Sequence, residues 1–270
     1  MDRLCSSYGA TKGTHGVADD IYFTGEETSS GFGGQEFVLD VKKHDLYCAP
    51  MLGRAAFENV TTVENFGSDY VLVLIGDDRE GAPLYLYVGE KDAEPDEGYE
   101  PPAFLKRNGL GYGRLYAWVP DNGDEDPSDF NGTGSVRTGK FKAIEHFNPS
   151  KAGEAGYDSL GFVSLSKQES NAFAAGAFRF SRPEDVATNP YDGTQVAFAS
   201  TGRSGFAGGA DSWGTTYLVD LDNGDLKSKL AKSLADIEDI ACDLTILYAG
   251  DDAGDGQFSD PDEGLRSPDN

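Results

Sequence analysis

Acidic residues recur at the ends of apolar runs in this chain. Glu26 and Glu27 follow "IYFTG", Glu58 follows "GRAAF", and Asp77 and Asp78 follow "VLVLIG". Glu184 and Asp185 follow "SRP", and Asp269 follows "RSP". Carboxylates that converge within a few ångströms raise one another's pKa unless something cationic neutralises them. Hard cations do this: calcium takes about six to eight oxygen ligands, and ferric iron also accepts carboxylate. Turns favour Asp on their own, so a single acid has an equal claim to be solvated decoration. The repeated placement in equivalent slots favours a cation.

Other chemistries find little support. The histidines, His15, His44 and His146, sit beside no nucleophile motif, and they read as exposed loop or turn residues. GxSxG, HExxH and the phosphate-binding GxxxxGK[ST] are absent. "GLGYG" at Gly109–Gly113 precedes a strand-like run, so it reads as a turn rather than a phosphate loop. Two stretches fail as EF-hands. Ala253 spoils the third position of the loop from Asp251, and the loop from Asp220 lacks its final carboxylate. A calcium loop of another kind at Asp251–Glu263 stays open beside a plain solvated loop. Cys5, Cys48 and Cys242 form no CxxC pair and support no disulfide framework.

The formal net charge of −25 argues against nucleic acid and anionic membranes as partners. No run reaches the roughly 18 apolar residues of a membrane span, and the first residues show no apolar signal-peptide region. The 270 residues include 35 Gly, 16 Phe and 13 Tyr, a profile of short strands and tight turns around a sizeable core. Strand-like runs rich in Val, Ile, Tyr and Phe recur along the chain, each closed by Gly, Asp or Asn. One segment, Asp225–Ala241, has leucines and isoleucines at helical steps and predicts a helix. Gly89–Pro102 and Asp121–Ser135 read as long exposed acidic loops.

A faint repeat organises these runs. "GRAAFENVTTVENFGSDYVLVLIGDDREGAPLYLYV" and "SRPEDVATNPYDGTQVAFASTGRSGFAGGADSWGTTYLVDL" share a grammar of Arg, acid, strand, turn, strand, turn, strand, and "LRSPDN" opens a third copy. A unit of about forty residues with several strands is the pattern of a β-propeller blade. The fold class is therefore all-β, as a single β-propeller domain over residues 1–270. The chain stops where a strand should begin, so the propeller is expected to be incomplete here, truncated at the C-terminus and open to truncation at the N-terminus.

These segments resemble the PhoX-type alkaline phosphatases, in a bacterial, cyanobacterial-like branch. The matching stretches are "GTHGVADDIYFTGEE", "EFVLDV", "LGRAAFENVTTVE", "VLIGDDREGAPLYLYV", "SRPEDVATNP" and "RSPDN", in the family's order from Gly13 to Asn270. The resemblance implies a six-bladed propeller with a central cluster of calcium and iron that hydrolyses small phosphate esters. It implies Glu26, Glu27, Glu58, Asp77, Asp78, Glu184, Asp185 and Asp269 as metal ligands. Arg182 becomes the phosphate-holding arginine, with Glu184 beside it at the catalytic position. It also implies a periplasmic or extracellular monomer. One departure stands out: the family has an iron-ligating cysteine where this chain has Gly25, and Cys5 and Cys48 do not replace it by alignment, although the fold could place one of them nearby. Iron is thus the less secure metal. A calcium-stabilised propeller used for binding or scaffolding, without catalysis, is the alternative, and a lactonase-like metal hydrolase is a third reading.

Overall fold

The computed structural model describes residues 3–221, 225–255 and 266–268. The strands in chain order are β1 (Leu4–Ala10), β2 (Ile21–Glu26), β3 (Glu36–Asp40), β4 (Asp45–Cys48), β5 (Phe57–Val63), β6 (Tyr70–Asp77), β7 (Tyr85–Glu90) and β8 (Gly113–Pro120). There follow β9 (Val136–Arg137), β10 (Gly139–Ile144), β11 (Pro183–Thr188), β12 (Gln195–Ser200), β13 (Thr215–Asp220), β14 (Asp239–Ala241) and β15 (Asp243–Ala249). The helices are short: α1 (Ala103–Arg107), α2 (Leu165–Ala174) and α3 (Leu226–Lys229). The all-β expectation holds.

The strands form three antiparallel sheets, ordered β1-β2-β3-β4, β14-β10-β8-β7-β6-β5 and β11-β12-β13-β15-β9. No closed ring is formed among the described residues. The middle sheet is buried on both faces. Val71, Val73, Ile75, Tyr85 and Leu115 pack with Phe23 and Val38 of the first sheet. Leu72, Leu74, Leu86, Tyr116 and Trp118 pack with Val196, Phe198 and Tyr217 of the third. This explains the unbroken apolar run of β6, since a strand covered on both sides has no polar face to alternate with. β3 and β12 alternate, burying one face each.

Two strands change sheets. β9 leaves the chain between β8 and β10 yet pairs with β15, and β14 lies between β13 and β15 in sequence yet pairs with β10. The middle and third sheets are thereby stapled at their outer edges. The inner edges are joined by side chains. Tyr8 Oη lies 2.7 Å from Thr62 Oγ1, Thr61 Oγ1 lies 2.9 Å from Thr188 Oγ1, and Thr188 donates to the Thr62 carbonyl at 2.7 Å. β5 therefore sits between β1 and β11, the first strands of their sheets.

Three sequence expectations need correction. The helix expected over Asp225–Ala241 breaks into α3, a short 3₁₀ turn at Leu234–Asp236, and β14. Its apolar residues Leu226, Leu230, Leu234, Ile237 and Ile240 are all buried, but by turns rather than one helical face. Arg114 takes the carbonyls of Leu234, Ala235 and Ile237 at 3.0–3.3 Å, and Tyr116 Oη takes that of Ile237 at 2.7 Å. Tertiary donors thus satisfy carbonyls that a helix would have paired internally. His146 is buried rather than exposed, and burial lowers its pKa to about 4. The loop Asp121–Ser135 is anchored by Phe130, which is buried and has Arg137 over its ring.

Tyr116→Phe removes a buried donor and leaves the Ile237 carbonyl to Arg114 alone. We expect a loss of about 1 kcal/mol, read as a lower denaturant midpoint with an unchanged slope.

Candidate metal centre

The same irregularity ends the first strand pair of each sheet. Leu4 pairs with Glu26, Phe57 with Asp77, and Pro183 with Ser200, and in each case the register slips before Ser7, Val60 and Val186. Two residues on the inner strand then face one on its partner, which is a β-bulge. The backbone repeats too. Glu27 N donates to the Arg3 carbonyl at 2.8 Å, Asp78 N to that of Ala56 at 2.9 Å, and Thr201 N to that of Arg182 at 3.1 Å. Cys5, Glu58 and Glu184 therefore occupy one slot in three sheets, and Glu27, Asp78 and Thr201 occupy another.

Strand alternation then divides the adjacent acids. Glu27 and Asp78 turn toward the bulges, while Glu26 and Asp77 turn away. Asp77 is fully buried, its oxygens held by Arg79 at 2.6 and 2.8 Å and by Ala56 N at 2.9 Å. Glu26 is buried on the side of Arg54 and Cys48. The site residues expected from sequence are thus brought together in part: Glu27 and Asp185 with Glu58, and Asp78 with Glu184. Asp269 lies outside the described residues, as do residues 256–263 of the possible calcium loop. In that loop Asp251 accepts Trp213 N at 3.0 Å and Asp252 accepts Thr133 N at 2.6 Å.

Glycines let the neighbouring sheets close on these bulges. A Cβ on Gly25 would lie 2.2 Å from Phe57 Cβ, and one on Gly76 would lie 1.8 Å from the Glu184 carbonyl oxygen. Gly in these strands marks close approach of the next inner strand. Gly25, where the resemblance leads one to expect a cysteine, has no room for a side chain here.

The sequence leaves open whether Cys5 or Cys48 lies near the site, and the structure puts Cys5 in the cluster. One ligand atom each from Cys5, Glu27 and Glu58 lie within 4.8 Å of one another. Cys5 Sγ donates to Glu58 Oε1 at 2.8 Å, and Arg3 pairs with Glu27. Burial pushes the Cys5 thiol up, helped by the hydrogen bond to Glu58, and burial likewise raises Glu58. A signal existed in the chain: Arg3-Leu4-Cys5 has the spacing of Arg182-Pro183-Glu184.

Beside this trio, Arg182 makes a two-pronged contact with Asp78 at 2.7 and 2.8 Å and reaches Glu184 at 2.9 Å. Burial, with Asp78 alongside, pushes Glu184 up to about 9 despite that guanidinium. Asn59 Nδ2 donates to Asp185 Oδ1 at 2.8 Å. Three buried oxygens around the bulges, Glu27 Oε2, Asn59 Oδ1 and Asp185 Oδ2, have no hydrogen-bond partner. Buried acceptors without donors are rare, and a cation held at the bulges would pair them. A cleft of about 700 Å³, lined by Tyr8, His15, Asn59, Thr61 and Thr188, runs along the inner strands from this point.

Asp211 braces the third bulge. It accepts from Thr215 at 2.8 Å and Ser200 at 3.3 Å, and Ser200 Oγ in turn lies 3.2 Å from Arg182 N.

A family model described as alkaline phosphatase PhoX matches residues 22–231. The chain belongs to the PhoX alkaline phosphatase family. Among solved structures it is similar to Pseudomonas fluorescens PhoX in complex with vanadate, a transition state analogue, with a TM-score of 0.53 and 23% identity. That match covers 87% of this chain and 40% of the solved chain, and it shows a PhoX-like fold. No curated protein matches.

Burial raises Asp211 to about 7 from an ordinary 3.8. The fold prefers its neutral form, so its contribution is complete below 3.8 and is lost as pH rises to about 7. We expect the stability difference between wild type and Asp211→Asn to change across that window and to be flat above it. Thermal unfolding of both proteins against pH checks this, and a constant difference contradicts it.

Proposed function

We propose that the protein is a metal-dependent hydrolase of small phosphate esters, with its cations held by the bulge carboxylates. The observation that carries this reading is the convergence of the bulges on partnerless buried oxygens, with Arg182 beside them. Glu27, Glu58, Asp78, Glu184 and Asp185 are the ligands within the described residues, and Asp269 belongs to the same proposal. Glu26 and Asp77 serve as packing anchors behind them. Calcium suits the oxygen donors; iron is the second metal of the proposal. The reading extends to a β-propeller whose inner strands line a central channel, of which β1, β5 and β11 are neighbouring walls. A periplasmic or extracellular setting rests on the resemblance alone.

Bound cations would polarise the phosphoryl oxygens and activate a water at neutral to alkaline pH. The chain's own groups do the rest. The Arg182 guanidinium is planar and part-exposed, so its two-pronged grip can pass from Asp78 to two phosphoryl oxygens. Asp78 and Glu184, released from Arg182, turn their charge to the cations. This neutralises a group of acids that could not otherwise all ionise together. Asp211 and Ser200 hold the Arg182 backbone so that the fork keeps its aim.

The test is hydrolysis of p-nitrophenyl phosphate by the full-length protein with calcium and iron. Turnover should vanish with chelator, and kcat/KM should fall about 100-fold or more in Arg182→Ala and Glu184→Gln. Turnover that ignores chelator, or variants as active as wild type, would overturn the reading.

A further inference from the structure

We infer that Cys5 supplies a thiolate to a transition-metal ion held with Glu27 and Glu58, while the adjoining Asp78 and Glu184 take calcium through oxygen alone. This rests on the reading that the bulge carboxylates hold cations, and it assigns the two kinds of metal to two groups of residues.

The bulge repeat carries the argument. Cys5 stands where the other two sheets place Glu58 and Glu184, so the fold already uses its slot to aim a ligand. Its sulfur is in hydrogen-bond contact with Glu58 and clusters with Glu27. Glu27 has one oxygen facing Arg3 and the other buried without a partner. That leaves an acceptor beside a thiol and a second carboxylate, a mixed sulfur–oxygen set.

The remaining positions that could give sulfur do not serve. Gly25 is closed by Phe57, so a side chain there would displace the second bulge. Cys48 donates to Gln35 Oε1 at 2.8 Å, and Cys242 is fully buried in the core shared by the middle and third sheets. The family match begins at residue 22, so β1 and its cysteine lie outside the part of the chain that carries the family pattern.

Donor type then decides the metals. Thiolate favours iron, cobalt or zinc over calcium, whereas carboxylate and amide oxygens suit calcium. When the metal–sulfur bond forms, the Cys5 proton leaves for solvent. No electrons are transferred.

Cobalt(II) is the probe, because a cobalt–thiolate bond gives a charge-transfer absorption in the near ultraviolet that cobalt–carboxylate lacks. Titrating the full chain should develop this band to saturation at one equivalent. The band should persist in Cys48→Ser and disappear in Cys5→Ser. Calcium-induced thermal stabilisation should survive in Cys5→Ser, which reports both that the variant folds and that the oxygen-only group is intact. Independently, cobalt should protect Cys5 of the wild type from alkylation, read by mass spectrometry, and leave Cys48 labelled as before. A missing band in the wild type, a band retained in Cys5→Ser, or Cys5 alkylated equally with and without cobalt overturns the inference. Those results stand apart from hydrolysis: a phosphatase active with calcium and lacking the band sinks the thiolate while leaving the function in place.

Discussion

Most of this structure follows from one extra residue in each inner strand. The bulge that follows Leu4, Phe57 and Pro183 turns the next side chain out of the pleat and toward the neighbouring sheet. Done once, that is a local kink. Done in three sheets set side by side, it gathers Cys5, Glu58 and Glu184 along one end of the inner strands and brings Glu27 and Asp78 beside them. Electrostatics makes the gathering costly unless opposite charge is present. Arg3 and Arg182 supply part of that charge, and the partnerless oxygens mark where they fall short.

The scaffold is built to hold these bulges still. The middle sheet is packed on both faces, and the exchange of β9 and β14 locks its outer edge to the third sheet. Gly25 and Gly76 let the next inner strand close to contact distance. Each acidic pair then splits its labour. One member, Asp77 or Glu26, is buried in the wall. The other, Asp78 or Glu27, faces the site.

The sequence showed the strands, the repeat and the acids at strand ends, because turn residues and alternation are local signals. It also placed Glu58 and Glu184 in corresponding units. The bulges stayed hidden, since register depends on the partner strand, and with them went the division of Glu26–Glu27 and Asp77–Asp78 between two faces. Choosing Cys5 over Cys48 needs the structure, because a repeat read from Arg54 does not reach β1, whereas the structure sets Ala56, not Arg54, in the slot of Arg182 and Arg3. The helix expected from Asp225 failed for a related reason: its apolar spacing is real, but Arg114 and Tyr116, more than a hundred positions away, compete for its carbonyls.

Membership of the PhoX alkaline phosphatase family says what chemistry to look for, and the bulges say which of this chain's residues are aimed at it. The central claim is that the bulges exist to hold cations. Anomalous diffraction from crystals of the metal-loaded protein tests it most directly. The account predicts a peak within about 2.0–2.6 Å of carboxylate oxygens of Glu27 and Glu58. Peaks confined to the acidic loops at Gly89–Pro102 or Asp121–Ser135, with none at the bulges, would contradict it.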